Sequence, residues 1–219
     1  MPRTRPVSRD EAPPEIADIY DAWFGPGRDP VAEPGTATGT PGDWWTTWAR
    51  APDVLRAMRA YPYREAPVDP RLREVALMRA GYARASQFVF SQHCKAARRE
   101  GVDEAKIAAV PCWTLADGVF SPVERAVLAY VDGMMLEAGR VHDRVFAALR
   151  DHLSDEEILV LTYLVNLYGM HAISSKALRM EYDNVPERIV EIPAPEDGGV
   201  QDWRDPKWSG PAASAAASP

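Results

Sequence analysis

Glu74 and His93 are the residues of this sequence whose chemistry can be named from type and spacing. They lie in the run LREVALMRAGYARASQFVFSQHCKAARREG, residues 72–101. Glu74 sits in an apolar helical pattern with Leu72, Val75 and Met78, and His93 sits in the next helical run, beside Cys94. A carboxylate and an imidazole on two helices joined by a short turn can act as an acid/base pair. Imidazole titrates near neutral pH, and partial burial raises a carboxyl pKa toward it. The competing expectations are a surface Glu74 paired with Arg71 or Arg73, and a core His93 bonded to one polar partner. Cys94, next to a histidine, is a possible redox thiolate. A cysteine on an apolar helical stripe is more often a small buried hydrophobe.

Further candidates lie away from this run. His171 interrupts the long apolar stretch 158–173, with Thr162, Asn166 and Tyr168 on the same element. Polar groups in so apolar a helix need partners, so they either line a pocket or satisfy one another. Trp44, Trp45 and Trp48 follow a loop dense in glycine and proline. Trp44 and Trp48 share a helical face and either cap the core or wall a pocket. These three, with Phe88, Tyr168 and His171, are the expected substrate contacts. His142 and His152 read as surface residues. No His-x-x-x-His, Gly-rich phosphate loop or Gly-x-Ser-x-Gly occurs, so no metal and no cofactor is expected.

The elements that must hold these residues are helical, and the fold class is all-α. Pro14, Pro52, Pro70 and Pro122 each suit a first helical turn. Asp69 and Ser86 suit N-caps, and Ser121-Pro-Val-Glu124 and Ser154-Asp-Glu-Glu157 read as capping boxes. Gly101 suits the position just past a helix. The predicted helices cover 15–23, 52–60, 70–83, 87–100, 103–110, 122–138, 142–149 and 154–182. The last should be central, being apolar on nearly every side. Residues 1–9 are expected to be flexible and 25–43 to be a disordered insertion or a lid. The body is one domain over 10–186, and 187–219 is a tail rich in proline, alanine and serine. Trp203 and Trp208 in that tail are expected to dock on the body or on a neighbouring subunit.

Lys and Arg number 25 against 32 Asp and Glu, a net charge of −7. That argues against a general nucleic-acid binder, which needs a basic face. Two cysteines, Cys94 and Cys112, offer no disulfide framework. The N-terminus has no apolar signal core, and the stretch 158–173 is too short and too polar for a membrane span. A cytoplasmic protein acting on a small molecule, without membrane or nucleic-acid partners, is the expectation.

The run from Leu72 to Val110, then FSPVERAVLAYVDGM and LSDEEILVLTYLVNLYGMHAISSKALRMEYD, resembles the carboxymuconolactone decarboxylase and alkylhydroperoxidase D (AhpD-like) family. The resemblance spans roughly 10–186. It implies an AhpD-like all-helical bundle, a homo-oligomer (dimer, trimer or hexamer), and Glu74 and His93 as the catalytic pair. The peroxidase branch carries a Cys-x-x-Cys whose positions fall on Ser86 and Val89, so its disulfide cycle cannot run here. Three activities follow as expectations. The first is a cofactor-independent enzyme doing decarboxylation, isomerisation or (de)hydration on a small organic acid, lactone or secondary metabolite. The second is a peroxidase-like thiol protein working through Cys94. The third is a non-catalytic small-molecule binder.

Overall fold

Asp69 and Pro70 start the helix on which the molecule is assembled. The Asp69 carboxylate accepts from the backbone N–H groups of Arg71 (2.9 Å) and Leu72 (3.1 Å), and Pro70 occupies the first turn. This helix, Pro70–Ala83, is buried on every side from Leu72 to Gly81. The computed structural model describes residues 2–33 and 42–180. The chain divides into two units, 1–189 and 190–219. The second lies wholly outside the described residues, as do the middle of the Gly/Pro-rich stretch and the tail with Trp203 and Trp208.

Among the described residues the elements are all helical. In chain order they are α1 (Pro14–Phe24), α2 (Gly42–Trp48), α3 (Pro52–Arg59), α4 (Pro70–Ala83), α5 (Gln87–Arg99), α6 (Glu104–Ala109), α7 (Pro122–Met135), α8 (Asp143–Arg150) and α9 (Asp155–Ala177). Short 3-10 turns cover Arg9–Glu11, Tyr63–Glu65 and Val110–Leu115. α5, α7 and α9 all pack on α4. One core cluster joins α4, α7 and α9 through Leu77, Val131, Leu161 and Leu164. A second joins α4 and α5 to the segment after α6 through Met78, Phe90, Cys94 and Trp113. A third holds α1, α2 and α3 together through Ile16, Tyr20, Trp48 and Leu55.

Several expectations are corrected. The central helix is α4, not α9. Leu159 is 70% exposed and Ile173 52%, and Tyr163 is also exposed, so α9 turns one apolar face outward. At 23 residues α9 is long and apolar enough to cross a membrane by length and composition alone, contrary to the expectation from sequence. Its other face is fully buried at Leu161, Leu164 and Val165, as a core helix requires. α9 also stops at Ala177 rather than near Tyr182. Arg179 takes a left-handed φ of 56°, and the Met180 N–H closes back on the Ser175 carbonyl, the bond that ends many helices. Met180 is fully buried beneath that turn. Residues 2–9, expected to be flexible, are tied down. The Arg3 N–H donates to Leu178 O, the Val7 N–H to Thr46 O, and the Tyr20 hydroxyl to Val7 O. Gly42 and Asp43, assigned to the loop, are already helical in α2.

The α4–α5 corner sets the register of the site. The Ser86 N–H bonds the Gly81 carbonyl at 3.0 Å, with Ala85 at a φ of 49°. The Ser86 hydroxyl then accepts from the Val89 N–H and caps α5. The helices cross where Gly81 has no side chain. A Cβ there would lie 2.7 Å from the Phe90 amide nitrogen. Gly81→Ala is therefore expected to lower stability by about 1–3 kcal/mol through forced separation of α4 and α5. Thermal melting checks this, and an unchanged midpoint would contradict the close approach.

Candidate active site

Glu74 and His93 meet in the core between α4 and α5. His93 Nδ1 lies 2.8 Å from Glu74 Oε2, and the two residues are 4% and 0% exposed. The other carboxylate oxygen, Oε1, accepts from the Tyr63 hydroxyl and from Arg73 Nε at 3.1 Å. Arg73, itself only 2% exposed, also donates from Nη1 to the Tyr63 carbonyl at 3.0 Å. Its guanidinium carbon lies 4.2 Å from the Tyr63 ring centroid, a cation–π contact that suits a desolvated guanidinium.

These contacts determine the ionisation. Burial works to raise the Glu74 pKa, but hydrogen bonds and charge from His93, then Tyr63 and Arg73, outweigh it and hold the carboxyl below its ordinary value. The sequence-based expectation of a raised carboxyl is corrected: burial is real, but its partners come with it. An ionised carboxylate only accepts, so the proton of the pair sits on His93 Nδ1. That leaves Nε2 as the imidazole nitrogen without a proton. Tyr63 is pushed up by burial first and then by the Glu74 charge, so its phenol stays protonated. For Arg73, burial opposes the charge, and Tyr63 and Glu74 more than restore it.

A chain of rings continues from His93. Tyr168 on α9 stands edge-on to it with centroids 4.2 Å apart. His171, one turn further along α9, is 5.0 Å from Tyr168 and 4.5 Å from Trp44. Trp44 stacks on Phe88 at 5.5 Å and tilts against Trp48 at 5.7 Å. Tyr168 is raised by burial and by Glu74. His171 is pushed down to about 3 by burial and then by His93, so it is neutral near pH 7.

Of the residues singled out from sequence, Glu74, His93, Tyr168, His171, Trp44, Phe88 and Trp48 form this one connected group. Trp45 does not join it: its indole stacks on Trp23 at 4.9 Å, with Arg59 over the ring. Cys94 follows His93 by one residue, about 100° around the helix. Its side chain lies in the other core cluster, with Val75, Met78 and Phe90. Thr162 turns to the Tyr130 hydroxyl at 2.7 Å and Asn166 to the Thr162 carbonyl, outside the ring chain. Ser86 and Val89 are buried at the cap of α5. No group of three or more His, Cys, Asp or Glu is placed to hold a metal among the described residues. Tyr63 and the inward turn of Arg73 were missed. Tyr63 carries no helical periodicity, because it sits in a 3-10 turn before α4.

The model of the carboxymuconolactone decarboxylase family matches residues 51–133. That segment runs from α3 into α7 and holds Tyr63, Arg73, Glu74 and His93. That segment is similar to the carboxymuconolactone decarboxylase family, and the helical fold that contains it is AhpD-like. A protein of unknown function from Agrobacterium tumefaciens, described as a putative antioxidant defence protein AhpD, is 26% identical with a TM-score of 0.58. The match covers 62% of this chain and 95% of that one. The alkylhydroperoxidase AhpD core of an uncharacterized peroxidase-related protein from Ralstonia eutropha JMP134 is 19% identical with a TM-score of 0.62. It covers 83% of this chain and 95% of its own, a likeness of fold alone. The uncharacterized protein YdfG of Bacillus subtilis is 24% identical over 114 residues, 52% of this chain and 76% of YdfG.

The two depressed pKa values give the site a pH signature. His171 takes up no proton in the folded state until about pH 3, whereas the unfolded chain takes it up near 6.5. The unfolded state therefore binds more protons below 6.5, and stability falls as pH falls. At pH 5 the loss from this residue is about 2 kcal/mol. Glu74, also depressed, adds a second loss below its ordinary value of 4.5. Urea unfolding from pH 8 to pH 4 is expected to show this slope, and His171→Phe is expected to remove the part between pH 6.5 and 4.5. An unchanged slope in that variant would contradict the neutral buried imidazole.

Proposed function

We propose that the chain is a cofactor-independent acid/base enzyme of the carboxymuconolactone decarboxylase type, with His93 as the group that moves the proton. What carries this reading is the 2.8 Å contact between His93 Nδ1 and an ionised, buried Glu74. Glu74 holds the imidazole in one tautomer and stabilises the imidazolium that forms when Nε2 takes a proton. Tyr63 and Arg73 keep the carboxylate ionised and oriented. Such a pair serves decarboxylation, double-bond shifts, hydration and dehydration alike, since each needs a proton taken from or returned to a carbon or oxygen beside a carbonyl.

Glu74→Gln and His93→Ala are each expected to lower turnover of the substrate by about 10²–10⁴-fold with helicity retained by circular dichroism. Full activity in both variants would sink the reading. Retained ligand binding in a wild-type chain without turnover would move it to a non-catalytic binding role. The thiol alternative places its chemistry on Cys94, which is 2% exposed in the core. Dithiol-dependent peroxide consumption that disappears in Cys94→Ser would establish it instead.

The reading keeps the proposed homo-oligomer. The outward face of α9, with Leu159, Tyr163 and Ile173 exposed, is the surface on which copies would meet, because such stripes mark association sites. Light scattering is expected to give a multiple of the 24.2 kDa chain mass, reduced by Leu159→Glu. A monomer in the wild type would contradict it.

A further inference from the structure

Among the described residues, five buried side-chain polar atoms lack a hydrogen-bond partner. Three of them are His171 Nε2, Trp48 Nε1 and Thr47 Oγ1. Buried polar atoms are nearly always paired, so an unpaired group calls for a cause. Thr47 and Trp48 follow Trp44 by three and four residues and share its side of α2. The Trp44 ring is the one that meets His171 on α9. His171 Nε2 thus lies at the seam where Trp44 of α2 meets α9, joined to His93 through Tyr168, while Trp48 tilts against Trp44 and packs on the α1–α3 cluster.

The charge along this seam is already matched. Arg73 is taken up by Glu74 at 3.1 Å and by the Tyr63 carbonyl and ring. His171 is neutral near pH 7, and Trp44, Trp48, Thr47, Phe88 and Tyr168 carry no charge. An anion entering here would face the Glu74 carboxylate with no uncommitted cation among these residues. The surrounding surfaces are flat π-systems, which receive planar molecules well.

We propose that the α2–α9 seam is the ligand subsite of this protein, and that it takes an uncharged, planar, hydrogen-bonding ring compound. A cyclic or aryl amide, ketone or lactone fits this description, with its polar edge on His171 Nε2; a carboxylate anion does not. Ligand binding then supplies the partner that the protein withholds from His171 Nε2. This deepens the acid/base reading, on which it rests for where the reacting atom lies, by selecting the neutral members of the expected substrate range. His171 acts as a specificity-determining contact, distinct from the proton-moving His93.

The test compares two probes of nearly the same shape, benzamide and benzoate, on the full chain. Binding is read by tryptophan fluorescence and by the ring-nitrogen resonances of ¹⁵N-labelled histidine. Benzamide is expected to bind saturably and to shift the His171 ring nitrogen, a readout that needs no variant. Benzoate is expected to bind at least about tenfold more weakly, the difference that one unpaired buried contact commonly makes. His171→Phe is expected to weaken benzamide by about tenfold. His171→Gln, which returns a polar atom near the place of Nε2, is expected to recover part of the loss. Benzoate binding as tightly as benzamide, indifference of benzamide to His171→Phe, or no saturable binding of either probe would each overturn the proposal. Because these readouts need no turnover, their failure is separate from that of the acid/base reading, which falls only if Glu74→Gln and His93→Ala leave activity intact.

Discussion

A carboxylate with no exposed surface cannot stay ionised unless its surroundings replace water, and much of this structure follows from meeting that demand at Glu74. An unpaired charge in a protein interior loses several kcal/mol of hydration. Here the loss is offset by an imidazole N–H, a phenol and a guanidinium, all directed at one carboxylate. Each donor comes from a different place. His93 is on α5, Tyr63 in the turn before α4, and Arg73 beside Glu74 on α4 itself. The arrangement exists only when α4, α5 and the segment leading into α4 are packed together. The tight corner at Ser86 and the close approach at Gly81 are therefore conditions of this buried cluster as well as of the fold.

The two buried histidines differ in their surroundings. His93 has an ionised carboxylate on Nδ1, which favours a proton there. His171 packs against the rings of Tyr168 and Trp44, and burial first, then the charge of His93, keeps it neutral near pH 7. Tyr168 separates the two rings, with its edge to one and its ring near the other, and burial, then the Glu74 charge, keep its phenol protonated.

Local signals made part of this legible in the sequence. Asp69-Pro70, Ser86, and the boxes at Ser121 and Ser154 declare helix starts through their own side chains, and the structure begins helices at each. Gly101 declares a stop and takes a φ of 78°. Where the same termination falls on Ala85 or Arg179, no residue type announces it, and the end of α9 was placed too late. The resemblance and the helical spacing of Glu74 and His93 pointed to their pairing. The identity of the other donors did not follow. Arg73 was as compatible with a surface pair as with a buried one, and Tyr63 reaches Glu74 only through the path of a turn. Trp44 and Trp45 differ by a single step around α2, enough to send one to His171 and the other to Trp23. Sequence spacing describes a helix face but not which neighbour occupies it.

The central claim is that Glu74 holds the proton of His93 on Nδ1 and leaves Nε2 bare. Long-range ¹H–¹⁵N correlation spectra of the histidine rings, recorded at alkaline pH where imidazole is neutral, report this directly. The account expects the Nδ1–H tautomer for His93 in the wild type and loss of that preference in Glu74→Gln. An Nε2–H tautomer in the wild type would contradict it.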